Sequence, residues 1–202
     1  MCGRYQFSCE SQDLRYIMQN AQRQADGVFP PEFHGAGEIL PTDTAPVLIA
    51  CGGKIRAEFQ HWGIRNQYGK RMVNARAETV TEKPMFRRSI AAQRCVVPAS
   101  AYYEWDKAGH QYRFSLPGRP LYLSGIYDYV DGLPCFVLLT TAPNASVKDI
   151  HDRMPLLLPR DQIRPWLTDA GAALLLLAST PPLLERSCTD GQLRLGDPAL
   201  RQ

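Results

Sequence analysis

Residues 46–59 read PVLIACGGKIRAEF. Ile55, Ala57 and Phe59 alternate with polar neighbours, which is the two-residue period of a half-buried strand, and Gly52-Gly53 supplies the backbone freedom of a tight hairpin turn. Two strands joined this closely run antiparallel. The same grammar recurs downstream. RCVVPASAYYEW (94–105), QYRFSL (111–116), LYLSGIYDYV (121–130) and PCFVLLTTA (134–142) read as further strands, separated by glycine-containing turns around residues 107–110, 117–120 and 131–132.

Helices are interspersed. Leu14, Ile17, Met18 and Ala21 recur at helical spacing behind Ser11, an N-capping residue, which predicts an amphipathic helix over about 11–25. Further helices are expected at 84–92, with Pro84 at its start, in a short stretch after Asn144, and as one or two segments within 161–178 that stop at Pro181-Pro182. Together these predict an α+β fold with a mainly antiparallel, curved or barrel-like β core flanked by several helices. With 202 residues, no linker and no low-complexity tract, residues 1–202 are expected to form a single domain.

Composition narrows the classes. Forty-five per cent hydrophobic and 21% charged residues are ordinary for a globular chain. The net charge of +3 conceals an uneven distribution: residues 54–94 hold ten of the 23 Lys and Arg against three acids, Glu58, Glu78 and Glu82. Such a stretch suits phosphates or a solvated surface equally. Six cysteines without a C-x-x-C pair argue against a zinc site, and no metal or cofactor is expected. No secretory leader pattern opens the chain and the apolar run AALLLLA (172–178) is too short for a bilayer, so reduced thiols, a cytoplasmic location and no membrane partner are expected.

Three stretches are too polar for their surroundings. VNARAET (73–79) packs an amide, a guanidinium and a carboxylate into an extended segment, with Arg76 and Glu78 on one strand face. ASAYYEWDK (99–107) sets Glu104 among aromatics at the end of a β-rich run, and DIHDRMPLLL (149–158) interrupts an apolar sequence with His151, Asp152 and Arg153. Each has a structural alternative: a carboxylate accepting a buried hydrogen bond, a plain ion pair, a histidine that only packs.

Taken jointly, MCGRY, HWG, VNARAET, RCVVPASAYYEW and HDRMP, in this order and spacing, resemble the SOS-response-associated peptidase (SRAP) family, whose members crosslink covalently to abasic sites in single-stranded DNA. The resemblance runs from Cys2 to about Leu158; the segment from Thr189 onward is shorter than the family's usual closing segment. It implies a DNA-damage response protein in which removal of Met1 leaves Cys2 with a free α-amine and a thiol on adjacent carbons. Such a 1,2-aminothiol condenses with the aldehyde of a ring-opened abasic sugar, first as a Schiff base and then as a thiazolidine. Both nucleophiles are only partly active at neutral pH, so neighbouring groups must move protons.

The family implies Glu104 beside the amine, His151 as general acid/base and Asn74 orienting the opened sugar. Arg4, Arg76 and Arg153 are candidate phosphate clamps, because guanidinium forks match phosphate oxygens. Trp62 either stacks on a base or fills the core, and Thr141 either donates to a phosphate or only ends a strand. Two departures stand out: Pro84 precedes Met85 where some relatives carry arginine, and GIRNQYGK follows Trp62 without the paired tryptophans of some relatives, leaving Tyr68 or nearby basic residues to substitute. The expected partner is single-stranded DNA carrying abasic sites, met by a monomer, with slow lyase chemistry from the same Schiff base. Two alternatives remain: a cysteine peptidase with Cys2 as nucleophile and His151 as base, whose autoproteolysis is the removal of Met1, and a non-covalent single-strand-binding module.

Overall fold

The structure, a computed structural model, describes residues 2–25 and 37–190. The first half of the chain forms β1 (Tyr5–Phe7), α1 (Gln12–Gln24), β2 (Gly37–Ile39), β3 (Thr44–Cys51), β4 (Lys54–Trp62), β5 (Ile64–Arg65), β6 (Arg71–Met72), β7 (Asn74–Arg76) and α2 (Pro84–Ala92). The second half forms β8 (Arg94–Ala99), β9 (Ala101–Trp105), β10 (Gln111–Ser115), β11 (Leu121–Val130), β12 (Leu133–Thr141), β13 (Met154–Pro155), α3 (Ile163–Thr168), α4 (Ala170–Leu176) and β14 (Glu185–Cys188).

The opening hairpin is β3 and β4, paired from Thr44–His61 to Cys51–Lys54. Its turn residues Gly52 and Gly53 have φ of 58° and 74°, a left-handed pair that side-chain-bearing residues resist. The hairpin is the centre of a sheet ordered β11-β8-β3-β4-β12, which closes on itself through β11 and β12 into a five-stranded barrel, with β7 and β13 added to β12. A second sheet runs β14-β10-β9-β1-β2, antiparallel throughout. The expected α+β class with a barrel-like, mainly antiparallel core is what the molecule has. Two pairings are parallel, β12 with β4 and β12 with β7. The first of them closes the barrel, and no local sequence pattern announces either.

Strand alternation divides the interior. Val47, Ile49, Cys95, Val97, Leu121, Leu123, Phe136 and Leu138 join Tyr5, Phe7, Tyr102 and Phe114 of the second sheet in one core. The intervening Leu48, Val96, Tyr122, Val137 and Leu139 pack with Ile17 and Ala21 of α1, Phe86 and Ile90 of α2, and Trp166 of α3 in another. Both faces of β8 are therefore buried, which explains its unbroken apolar sequence.

Three expectations are corrected. RCVVPASAYYEW is two strands, not one: the chain breaks at Ser100 and passes from the barrel to the second sheet, the corner held by Ser100 N and Oγ both donating to the Gln6 carbonyl (2.7 and 3.1 Å). The stretch after Asn144 is a run of hydrogen-bonded turns rather than a helix, organised by the Asn144 side chain, which accepts from Ser146 and donates to the Pro181 and Pro182 carbonyls. Glu78 pairs with Arg153, not with Arg76. The predicted α1 stands, with Ser11 Oγ accepting from Leu14 N at 3.1 Å. The closing segment beyond Asp190 lies outside the described residues, as does Met1.

Arg94, counted in the basic stretch, is buried. Its guanidinium donates to the carbonyls of Ile90 and Ala91 in α2 and of Trp166 and Leu167 in α3, so it satisfies the open ends of two helices at once. Burial holds its acidity stronger than that of a free guanidinium.

Candidate active site

Cys2 lies just ahead of β1 and is wholly buried, packed in the core that contains Tyr5, Tyr102 and Trp62. β1 sits between β2 and β9, with Tyr5 opposite Tyr102, so the amino-terminal segment is bound on both edges. Asn74, on β7 at the barrel wall, donates from Nδ2 to the Cys2 carbonyl at 2.7 Å. That bond fixes the backbone of residue 2. The amide's Oδ1 is buried and has no hydrogen-bond partner among the described residues.

Glu104 follows Tyr102 by two residues on β9 and therefore faces the same side of the sheet. Its side chain is 3% exposed, and Oε2 lies 3.8 Å from His151 Nε2. Burial pushes this carboxyl up to about 7, so it exchanges a proton in the neutral range. His151, in the loop before β13, has Nδ1 3.0 Å from the Arg153 backbone nitrogen and 3.2 Å from the Arg153 carbonyl oxygen, and its Nε2 faces Glu104. Burial holds the imidazole's pKa below its ordinary value, which Asp152 at 3.1 Å opposes. A carboxyl acid and a neutral imidazole thus adjoin, able to pass one proton.

Burial drives the Cys2 thiol far above its usual range, with the Glu104 charge adding to the effect, so the resting group is a thiol. Its sulfur lies 3.8 Å from the Arg4 carbonyl. The four residues expected to do chemistry, Cys2, Asn74, Glu104 and His151, come from four separate parts of the chain and meet in one cluster. Among the described residues no group of His, Cys, Asp and Glu has the arrangement of a metal site.

The expected DNA contacts divide. Arg76 is exposed at the end of β7. Arg4 is engaged by Glu38 at 2.8 Å and lies over the Trp105 ring, 5.2 Å from its centroid. Arg153 is held by both oxygens of Glu78 at 2.8 Å and by the Thr140 carbonyl at 2.6 Å. Each of these two guanidiniums must exchange a carboxylate for a phosphate if it is to clamp DNA. Thr141, half-buried, ends β12 opposite Met154. Trp62 takes the core-filling alternative. It is 0% exposed, parallel to Phe136 at 6.1 Å, and its Nε1 donates to the Val73 carbonyl, so neither ring face is open to a base. Tyr68, on the turn between β5 and β6, is 83% exposed and lies between Arg65 and Lys70 in sequence. Sequence reasoning missed Tyr5 and Tyr102 as members of the cluster, since tyrosines inside strand patterns read as packing.

The sequence pattern of the SOS response associated peptidase (SRAP) family matches residues 1–185. The chain is 33% identical over 184 residues to the abasic site processing protein YoaM of Bacillus subtilis, covering 83% of this chain and 79% of that one. It is 26% identical to the abasic site processing protein YedK of Escherichia coli, with 83% and 79% covered. Among solved structures, a phage-related protein from Bordetella bronchiseptica superposes with a TM-score of 0.72 over 93% of both chains at 20% identity, and a protein from Bacteroides thetaiotaomicron with 0.71 at 21%, over 93% of this chain and 91% of that one. These two share the barrel and its companion sheet. On the extent of the family match and the identity to YoaM, the chain belongs to the SOS response associated peptidase family.

Proposed function

We propose that this protein acts in DNA repair by capturing abasic sites in single-stranded DNA through a thiazolidine at Cys2. The observation that carries the reading is the gathering of Asn74, Glu104 and His151 around the residue that bears both nucleophiles once Met1 is removed. The names of the relatives, abasic site processing proteins, point to the same substrate.

In the proposed sequence, Glu104 as carboxylate takes a proton from the α-ammonium. The amine lone pair attacks C1′ of the opened sugar, and the carbonyl oxygen takes one proton from the attacking nitrogen and a second from His151 and leaves as water. The thiol then gives its proton back to His151, its sulfur bonds to C1′, and the C=N electron pair returns to nitrogen. One aldehyde and one aminothiol give one thiazolidine and one water. Asn74 Oδ1 is free to accept from a sugar hydroxyl while Nδ2 holds the Cys2 carbonyl. The iminium stage also acidifies the C2′ proton, so β-elimination competes when ring closure is slow. Arg76, and Arg4 and Arg153 after release from Glu38 and Glu78, position the strand through its phosphates.

The test uses uracil-containing single strand treated with a uracil glycosylase and run on denaturing gels. A shifted band that needs Cys2 and survives without borohydride is expected. Cys2→Ser keeps the amine and should yield only a borohydride-trapped adduct. A wild-type protein of verified processed mass that gives no shifted band rejects the reading.

A further inference from the structure

Tyr5 and Tyr102 are each 0% exposed, and among the described residues neither phenol oxygen has a hydrogen-bond partner. Buried hydroxyls are nearly always bonded, so a hydroxyl left bare needs an explanation in terms of what it waits for. These two are not scattered. They are register partners on β1 and β9, they share the sheet face that carries Glu104, and both rings pack in the core that holds Cys2.

The resting sulfur sits by the Arg4 carbonyl, to which its S–H can point. A thiolate has no proton to offer and is repelled by that oxygen, so deprotonation turns it toward hydrogen-bond donors. We infer that the Tyr5 and Tyr102 hydroxyls form a two-donor cradle for the Cys2 sulfur in its anionic form, left empty at rest and filled when the thiol ionises for ring closure. The inference rests on the capture reading and adds to it the groups that stabilise the nucleophile.

The surroundings fit. Burial and Glu104 both oppose the thiolate, so an anion there needs compensation. Burial, followed by the Cys2 charge, raises the pKa of both phenols, which keeps them protonated as donors. The charged and titratable groups facing this cluster are Glu104 on β9, Asp43 and Cys95 beside Tyr5, His151 across from Glu104, and the amino-terminal ammonium. Of these the ammonium alone is positive, and it favours the thiolate less than burial and the Glu104 charge oppose it. When the sulfur bonds to C1′ its electron pair becomes the C–S bond and its charge is lost, so the cradle releases it.

Tyr5→Phe, Tyr102→Phe and the double variant delete the hydroxyls without changing ring shape. Because those hydroxyls are unsatisfied at rest, each variant should melt at the wild-type temperature or about 2–4 °C above it. In DNA-free processed protein, labelling of Cys2 by methyl methanethiosulfonate, followed between about pH 7 and pH 9 where the thiolate is the minor form, should slow about tenfold per hydroxyl lost, and ring closure on abasic single strand should slow about tenfold or more. The borohydride-trapped imine should still form at the wild-type rate. A double variant with a wild-type labelling profile overturns the cradle, as does a lowered melting temperature, which would show that the hydroxyls are already partnered. If wild-type protein forms no Cys2-dependent crosslink, the capture reading falls, while the labelling profile still decides the cradle.

Discussion

At the scale of single residues, Glu104 joins stability to reactivity through one proton. Its carboxyl stands at about 7 in the fold against an ordinary 4.5, so its protonated form is favoured by folding. A group raised in this way contributes stability that is complete below its unfolded value and is lost as pH rises through the folded one. Glu104→Gln, neutral at every pH, should therefore gain on wild type above pH 7, on the order of 2–3 kcal/mol, and show no gain near pH 4, as measured by melting temperature. On the proposed mechanism the crosslinking rate runs the opposite way: with the carboxylate as base it should climb through pH 7 in wild type and be lost in the variant. Glu78 allows a second test: Glu78→Gln frees Arg153 from its bidentate partner, and fluorescence anisotropy should show single-strand binding tightened about twofold to tenfold at low salt, with a salt slope steeper by about 0.7. Glu104 and His151 could be singled out from sequence because each breaks an apolar run. Trp62 could not be assigned, since an indole that stacks on a base and one that fills a core have the same sequence neighbours.

At the scale of elements, the hairpin at Gly52-Gly53 was plain because both its period and its turn chemistry are local. The split of residues 94–105 into β8 and β9 was not. Ser100 turns the chain only because Gln6, far away in sequence, offers its carbonyl there. Arg94 has the same character: its role depends on four carbonyls supplied by two helices. Arg94→Met should lower stability by about 3 kcal/mol, because those carbonyls lose their donor in a dry environment, and chemical denaturation measures it. Trp62→Ala should cost about 3–5 kcal/mol by the same assay. Any loss of DNA capture in that variant should scale with the unfolded fraction.

At the scale of the whole molecule, the candidate site depends on two sheets being docked, since Asn74 belongs to the barrel and Glu104 to its companion sheet. The parallel pairing of β12 with β4 that closes the barrel carries no local signature, and this is why the barrel could be expected as a shape but not as a strand order. The position of β1 has a consequence for how the protein is made. Cys2 is enclosed in the finished fold, and its neighbouring strand takes its place beside β9, which emerges from the ribosome roughly a hundred residues later. At about 5–20 residues per second, the nascent chain leaves the β9 edge of its first strand unpaired for about 5–20 s. Methionine excision, if the capture chemistry operates, belongs to that interval of synthesis. Chain purified with Met1 intact should be trimmed by an aminopeptidase quickly when unfolded and slowly when native, so that the reactive terminus is set before the protein is complete.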